Sequence, residues 1–458
     1  MGVASCPDCF EKQQKIDQQA EEIKRLKAQL RYRAEKAKQG FFGSSTPSSQ
    51  QPVKPNSEPE RQSKQGGAPP GHPGHGRKGI DAAKASRVLD IGLKPFCSDC
   101  GRVLLDKGFR ERSVLEIPPP KPEPILYRLG KGYCPNCRKS FQAQAPAVLP
   151  KSLFGNQLIA HAACLHYLHG TPLGRIGDQM GLLSGSLIPT MHRLAHLFKA
   201  VPPLLVQQYR QAVVRHADET SWRTDGHSGY AWLFCTPNLS IFLFRSTRSA
   251  TVPREVFGDQ SLPGVLVVDR YQGYNRMPCK LQYCYAHLMR EVEDLAKEFP
   301  DNAEVNAFTA TLIPLLASAM HMRSQPLSDA QYYAQAVLTK SQIISVCEQP
   351  AQHLGILRIQ DIFRDNANRL YHWAEARDVP ADNNRSEREL RPTVIARKVS
   401  FGSQSDEGAK TRETLMTVLH TLRKRRPEPE AHFKWVLDQL SVNLKQDPFP
   451  LLFPSDSS

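Results

Sequence analysis

Three carboxylates stand out by type and setting: Asp218 in His-Ala-Asp-Glu-Thr, Asp269 in Val-Val-Asp-Arg-Tyr and Glu387 in Asn-Asn-Arg-Ser-Glu-Arg. The two aspartates follow apolar runs, and the glutamate sits among arginines. Hard divalent cations such as Mg²⁺ prefer carboxylate oxygen and keep waters that a phosphate can replace. Two such ions about 3.5 to 4 Å apart can activate an attacking oxygen and stabilise a leaving one, and holding them takes at least three clustered acids. The chain carries 60 Lys and Arg against 45 Asp and Glu, a net charge of +15. Such a balance favours a polyanionic partner, because neutralised phosphates release condensed counterions. The pattern therefore points to cutting or joining a nucleic-acid backbone. Each acid also has a plainer reading. Asp218 fits a polar strand residue with Glu219 as the rival ligand, Asp269 a helix N-cap, and Glu387 the far end of an Asn384-x-x-Glu387 capping box. Glu389 and Glu407 compete as third acid.

The elements that must position these groups follow from periodicity. Residues 212–222, 230–235 and 241–244 read as strands, with Thr236-Pro237-Asn238 as a turn, and residues 264–268 form a continuous apolar run of buried-strand type. Three antiparallel strands, a connection and a buried strand ending in Asp is the order of a ribonuclease-H-like core. There the first and fourth strands are neighbours, so Asp218 and Asp269 would share a metal. Residues 382–391 read as a helix that Pro392 ends or kinks, with Arg385, Arg388 and Arg391, and Arg397 and Lys398 beyond, to hold the scissile strand. Residues 300–380 look helical, an insertion into the core that would cover the active site or clamp DNA.

Upstream of the core, at 458 residues, several domains are expected. Residues 1–40 carry an N-terminal helix whose Ile16, Ile23, Leu26 and Leu30 have heptad-like separations, consistent either with a coiled coil or with a solvated helix. Residues 41–90 are a Ser-, Pro-, Gln- and Gly-rich basic linker. Residues 91–148 hold Cys97-Ser-Asp-Cys100 and Cys134-Pro-Asn-Cys137, with strands expected at 112–117 and 125–129; four thiolates in two knuckles suit a structural, tetrahedral Zn²⁺. Cys6 and Cys9 have no obvious second pair. Residues 150–204 read as three helices, capped by Ser152, opened by Thr171-Pro172 and capped by Ser186, in a helix-turn-helix outline with Arg175, Arg193 and Lys199 for DNA. The core is divided into residues 205–299 and 381–425 around the insertion, and residues 426–458 form a C-terminal helix and tail. No apolar run approaching a membrane span is seen, so no membrane role is expected and the chain reads as soluble and intracellular.

Several motifs together resemble one family. Tyr167-Leu-His-Gly-Thr-Pro-Leu-Gly-Arg175, Asp218-Glu-Thr, Asp269-Arg-Tyr-Gln-Gly-Tyr274, Cys284-Tyr-Ala-His287 and Asn383-Asn-Arg-Ser-Glu387-Arg, with the paired Cys-x-x-Cys motifs and the Gly-His-Pro-Gly-His-Gly-Arg linker, resemble bacterial insertion-sequence DDE transposases of the insertion-sequence-sixty-six type. The resemblance covers nearly the whole chain. It implies a metal-binding catalytic triad of Asp218, Asp269 and Glu387 using Mg²⁺ or Mn²⁺, with cleavage and strand transfer of an insertion sequence. Its partners would be double-stranded DNA (terminal inverted repeats and target), a second copy of the chain or more, and helper proteins. The implied setting is the bacterial cytoplasm, at the nucleoid. The chain departs from the family pattern at Lys398-Val-Ser-Phe-Gly-Ser403 and at Leu288-Met-Arg290. A non-catalytic DNA-binding regulator, or an inactive remnant, is the alternative. Cys279, Cys284 and His287 offer three ligands for a second zinc; the preferred reading packs Cys284 and His287 beside the acids, since structural zinc wants four.

Overall fold

The computed structural model describes residues 15–16, 18–23, 25–27, 30, 102–103, 122–136 and 138–454. The chain divides into two compact units, residues 1–51 with 122–458 and residues 52–121, and the elements below belong to the first. The linker, Cys6, Cys9, Cys97, Cys100, Cys137 and the strand expected at 112–117 lie outside the described residues. In the N-terminal segment the described residues are helical, with Ile16, Ile23, Leu26 and Leu30 exposed.

Strands β1 (Lys131–Cys134) and β2 (Lys139–Gln142) form an antiparallel hairpin whose ladder ends at Cys134 opposite Lys139. The strand expected at 125–129 is not one. Residues 122–130 have no regular structure, and Ile125 and Leu126 are exposed. Helices α1 (Asn156–Tyr167), α2 (Leu173–Met180), α3 (Ser184–Leu197) and α4 (Val201–Gln211) follow. Two caps differ from expectation. Gly155 precedes α1, while Ser152 turns its hydroxyl onto Phe154, accepting from its N–H at 3.1 Å and donating to its carbonyl at 2.8 Å. α3 starts earlier, after Leu183, and the Ser186 hydroxyl donates to the Leu183 carbonyl from within the first turn. The left-handed Gly181 that stops α2 returns the chain to helix within three residues, leaving no room for a cap at Ser186.

A five-stranded mixed sheet carries the acids. Strands β3 (Val214–Thr224), β4 (His227–Cys235) and β5 (Ser240–Arg245) are an antiparallel meander, then come α5 (Thr251–Phe257), β6 (Val265–Val268), a 3₁₀ turn at Gln272–Tyr274 and β7 (Lys280–Tyr283). The spatial order is β5-β4-β3-β6-β7, with β6 parallel to both β3 and β7. Helices α6 (Tyr285–Glu298), α7 (Ala303–Met322), α8 (Asp329–Glu348), α9 (Leu354–Asp365) and α10 (His372–Glu375) intervene before α11 (Asn384–Ser400), α12 (Asp406–Arg425), α13 (Pro429–Val442) and α14 (Pro448–Leu452). α11 runs through Pro392 to Ser400 instead of ending there. α7 is long and apolar enough by composition to cross a membrane. Alanines spread its hydropathy without a continuous apolar run. Its buried Val305, Phe308, Leu312, Leu316 and Ala319 recur at three- and four-residue spacing, and it packs against α6 and α8 as a core helix does.

The pairing of β6 with β3 is fixed where the chain enters β6. Val265 N–H donates to the Val213 carbonyl at 2.8 Å, and Gly264 adopts φ 75° with an added Cβ falling 2.1 Å from that carbonyl oxygen. Gly264→Ala is therefore expected to destabilise the protein by about 1 to 3 kcal/mol, the usual cost of such strain, seen as a lower urea midpoint at unchanged slope. An unchanged midpoint would show that β6 does not depend on this entry.

Candidate active site

The ladder Val214↔Val265, Arg215↔Leu266, His216↔Val267 runs in parallel register. Carried two residues further, it sets Asp269 beside Asp218 on the same face, because side chains alternate along a strand. Both are deeply placed, at 3% and 9% exposure. Asp218 Oδ1 accepts from Glu219 N–H at 2.9 Å. Asp269 Oδ1 accepts from Tyr271 N–H at 3.0 Å, which closes the turn before the 3₁₀ segment and so replaces the expected helix N-cap.

Glu387 arrives from α11, in its first turn. The N-cap position is Asn383, not Asn384, and no capping box forms. The Asn383 side chain is used instead to bind the helix to β3: its Nδ2 donates to the Ala217 carbonyl at 2.9 Å and its Oδ1 meets His216 Nδ1 at 3.0 Å. Farther along, Arg397 donates to Thr220 Oγ1 at 2.9 Å. α11 thus lies across the β3 face that carries His216, Asp218 and Thr220, anchored on either side of Asp218. Glu387 Oε1 is buried without a hydrogen bond, 3.5 Å from Arg290 Nη2 and 4.0 Å from His287 Nδ1.

Asp218 feels the charge of both other acids. Burial first, then Glu219, Asp269 and Glu387, hold Asp218 well above the usual carboxylate range. Burial and Glu219 push Asp269 up to about 7, against the pull of the Tyr271 N–H, Arg248 and Arg270. Burial also raises Glu387, with Arg290 opposing. The nearest guanidiniums are committed elsewhere. Arg248 Nε donates to Glu219 at 2.8 Å, and Arg270 pairs with Glu291.

The rival acids have structural partners. Glu219, fully buried on the opposite face of β3, is held by Arg248 and by the Tyr274 hydroxyl at 2.5 Å. Glu389 accepts from Ser240 Oγ at 2.9 Å and pairs with Lys424 at 2.7 Å. Glu407 is exposed at the start of α12. Of the predicted DNA contacts, Arg388 and Arg391 are exposed on α11, while Arg385 lines a cavity of about 270 Å³ with His216, Arg323 and Asp378. Arg175 and Lys199 are exposed on and just after α2 and α3 respectively; Arg193 is exposed too, but donates to the carbonyls of Pro150 and Lys151 at 2.8 and 3.0 Å. The structure thus brings the three acids and the α11 arginines together, and leaves Arg175, Arg193 and Lys199 on another set of helices. Among the described residues, one group of three metal-ligating atoms lies mutually within 4.8 Å, and it is Cys284, His287 and Glu387, not the three acids. Sequence reasoning passed over Arg248, which sits in no motif, and Asn383, whose bracket across β3 has no local signature.

Two comparisons bear on this geometry. Residues 151–411, more than half of the chain, match the model of the transposase IS66 family. The chain belongs to the IS66 transposase family. It is also similar to the uncharacterized protein y4qI of Sinorhizobium fredii (strain NBRC 101917 / NGR234), at 26% identity over 412 residues, covering 80% of this chain and 74% of the relative. Membership in the IS66 family implies a transposase function acting on DNA with nuclease-type chemistry that uses divalent metal.

The raised aspartates give a pH signature. A carboxyl whose folded pKa lies above its unfolded value contributes stability at low pH that is lost as pH rises through the folded value, here about 7 for Asp269. Metal-free protein should therefore melt at a lower temperature above neutrality than below it. A divalent cation held by this pair would favour its ionised form, so the increase in Tm on adding Mn²⁺ should grow with pH over the same interval, and Asp269→Asn should flatten both trends. An Mn²⁺ increment independent of pH in the wild type would rule this out.

Proposed function

We propose that this IS66-family protein is an active DNA transposase with a ribonuclease-H-like core, in which Asp218, Asp269 and Glu387 form the catalytic triad. The observation that carries this reading is the parallel β3–β6 register, which sets Asp269 beside Asp218 under the helix that delivers Glu387. The strand order β5-β4-β3-β6-β7, with three antiparallel strands followed by two parallel ones, is that of ribonuclease-H-like sheets and supports the same reading.

The residues fit hard divalent ions. Two buried, like-charged carboxylates stand side by side with the adjacent arginines engaged by Glu219 and Glu291, so positive charge from outside the protein would relieve their repulsion. Asp218, Asp269 and Glu387 would hold Mg²⁺ or Mn²⁺, which when bound supplies Lewis-acid activation of water and charge neutralisation at the phosphate. The protein's own part is positioning. β3 and β6 fix the aspartates, Asn383 and Arg397 fix α11, and Arg388 and Arg391 offer their guanidiniums to the strand being cut. The product 3′ hydroxyl would then attack target DNA from the same seat, with no covalent protein intermediate.

The remaining modules complete the proposal. Residues 150–204, through Arg175, Arg193 and Lys199, would grip terminal inverted repeats, and residues 300–380 would form an insertion beside the core. Cys97, Cys100, Cys134 and Cys137 would hold a structural Zn²⁺, and the N-terminal helix would pair two copies for synapsis of two ends.

Asp269→Ala tests the reading on a donor DNA bearing both element ends. Removing a metal ligand should cost about 4 kcal/mol or more of transition-state stabilisation, a loss of about a thousandfold in donor cleavage and strand transfer, while end binding survives. Undiminished cleavage by that variant would overturn the triad. A wild type that binds ends and never cuts would favour the regulator or remnant.

A further inference from the structure

At the junction of β7 with α6, Cys284 is fully buried and its Sγ accepts from the Asn383 N–H at 3.1 Å. One turn into α6, His287 faces the same point. Cys284 Sγ, a His287 ring nitrogen and a Glu387 carboxylate oxygen all lie within 4.8 Å of one another. Both His287 ring nitrogens and Glu387 Oε1 are shut off from solvent and have no hydrogen-bond partner. Buried polar atoms are normally satisfied, and each one left bare costs roughly 1 to 3 kcal/mol. A neutral imidazole always carries one N–H and one lone pair, so ordinary packing does not account for two bare ring nitrogens beside a carboxylate oxygen whose nearest charge is the Arg290 guanidinium at 3.5 Å.

A cation accounts for all three atoms at once. The set is one sulfur, one nitrogen and one oxygen, and thiolate with imidazole selects zinc-like ions over Mg²⁺. We propose that Cys284, His287 and Glu387 form a second metal site, specific for a borderline divalent cation of the zinc type, with a fourth position left open. Cys279, the third ligand considered from sequence, is not in the group, and Glu387 takes its place. Binding would release the Cys284 thiol proton to solvent. The ion would compete with Arg290, which pairs with Glu387 at 3.5 Å. A carboxylate has two oxygens, so Glu387 would bridge this site and the aspartate pair, tying the register of α6 to the catalytic face. The site stands apart from the cleavage reading, because an ion held by sulfur and nitrogen does not depend on the aspartates.

The test is a Co²⁺ titration of the full-length, metal-stripped protein without DNA, followed by visible absorption. Wild type should bind about one equivalent more than His287→Ala, in a tetrahedral band with one thiolate charge-transfer component. Glu387→Gln, at a position 23% exposed and so tolerant of the change, should keep the fold and weaken that equivalent by about tenfold or more. Equal cobalt binding by folded wild type and His287→Ala would overturn the site. If His287→Ala does not fold, an unchanged isotherm for Glu387→Gln overturns it alone. Because cobalt is counted on DNA-free protein, undiminished cleavage by Asp269→Ala with the extra equivalent intact would count against the triad and not against this site.

Discussion

The constraint on which the rest depends is the burial of two carboxylates side by side in the middle of a sheet. Water solvates a carboxylate far better than a protein interior does, and two together repel. β3 is nevertheless central, flanked by β4 and β6, and so cannot expose Asp218 at an edge. The fold accepts the penalty by making the surroundings rigid. Glu219, a third buried anion that adds to the repulsion, is paired on the other face with Arg248 and hydrogen bonded by Tyr274, whose ring packs edge-on against Trp232 at 6.0 Å. Arg248 in turn lies over the Tyr271 ring at 4.0 Å, and Tyr271 N–H holds Asp269. One short motif, Asp269-Arg-Tyr-Gln-Gly-Tyr274, therefore supplies an acid and two of the groups that keep the neighbouring acid in order.

The same sheet has an edge to protect, and α12 does so. Glu413, Thr417 and Thr421, four residues apart on one face of that helix, accept from the N–H groups of Phe244, Phe242 and Ser240 along β5. A free edge would otherwise invite pairing with another chain. α12 also reaches the N-terminal helices: Arg412 meets His166 Nε2 at 2.8 Å and lies over the rings of Tyr167 and Trp222, and His420 bonds the Tyr167 carbonyl at 3.0 Å. Burial lowers both histidines to about 3, so these contacts are made by neutral imidazoles. α1 through α4 and the sheet consequently share one apolar core.

What could be read in the sequence was whatever one element decides by itself. The apolar run before Asp269 and the alternation around Asp218 were legible because burial on both faces, or on one, leaves a period in the residues. The four strands expected around the two aspartates came out within three residues of their observed ends, while β1 and β2 were not foreseen, and Gly181 was legible because a left-handed stop nearly requires glycine. Decisions made between elements were not legible. Ser152 and Ser186 are good cappers whose hydroxyls found nearer carbonyls, and residues 125–129 have strand composition but remain exposed. Glu387 has the spacing of a capping box, yet Asn383 displaced that arrangement by reaching 166 residues back to Ala217. Pro392 did not end α11, since only one N–H is forfeited and packing over β3 along both halves of the helix outweighs it.

The third acid differs in kind from the first two, and the difference has a physical sense. Strand positions fix Asp218 and Asp269 through a backbone ladder, which leaves their side chains little freedom. Glu387 stands on a helix end held by a single side-chain bracket, with Arg290 and His287 from α6 on its flank. A glutamate in a first helical turn has an extra methylene, and so more reach than the strand-borne aspartates. Its partners decide where it rests. Among the described ion pairs, the groups within 4 Å of Glu387 come from α6, Arg290 and His287. Positive charge at the aspartates would compete for the same oxygens.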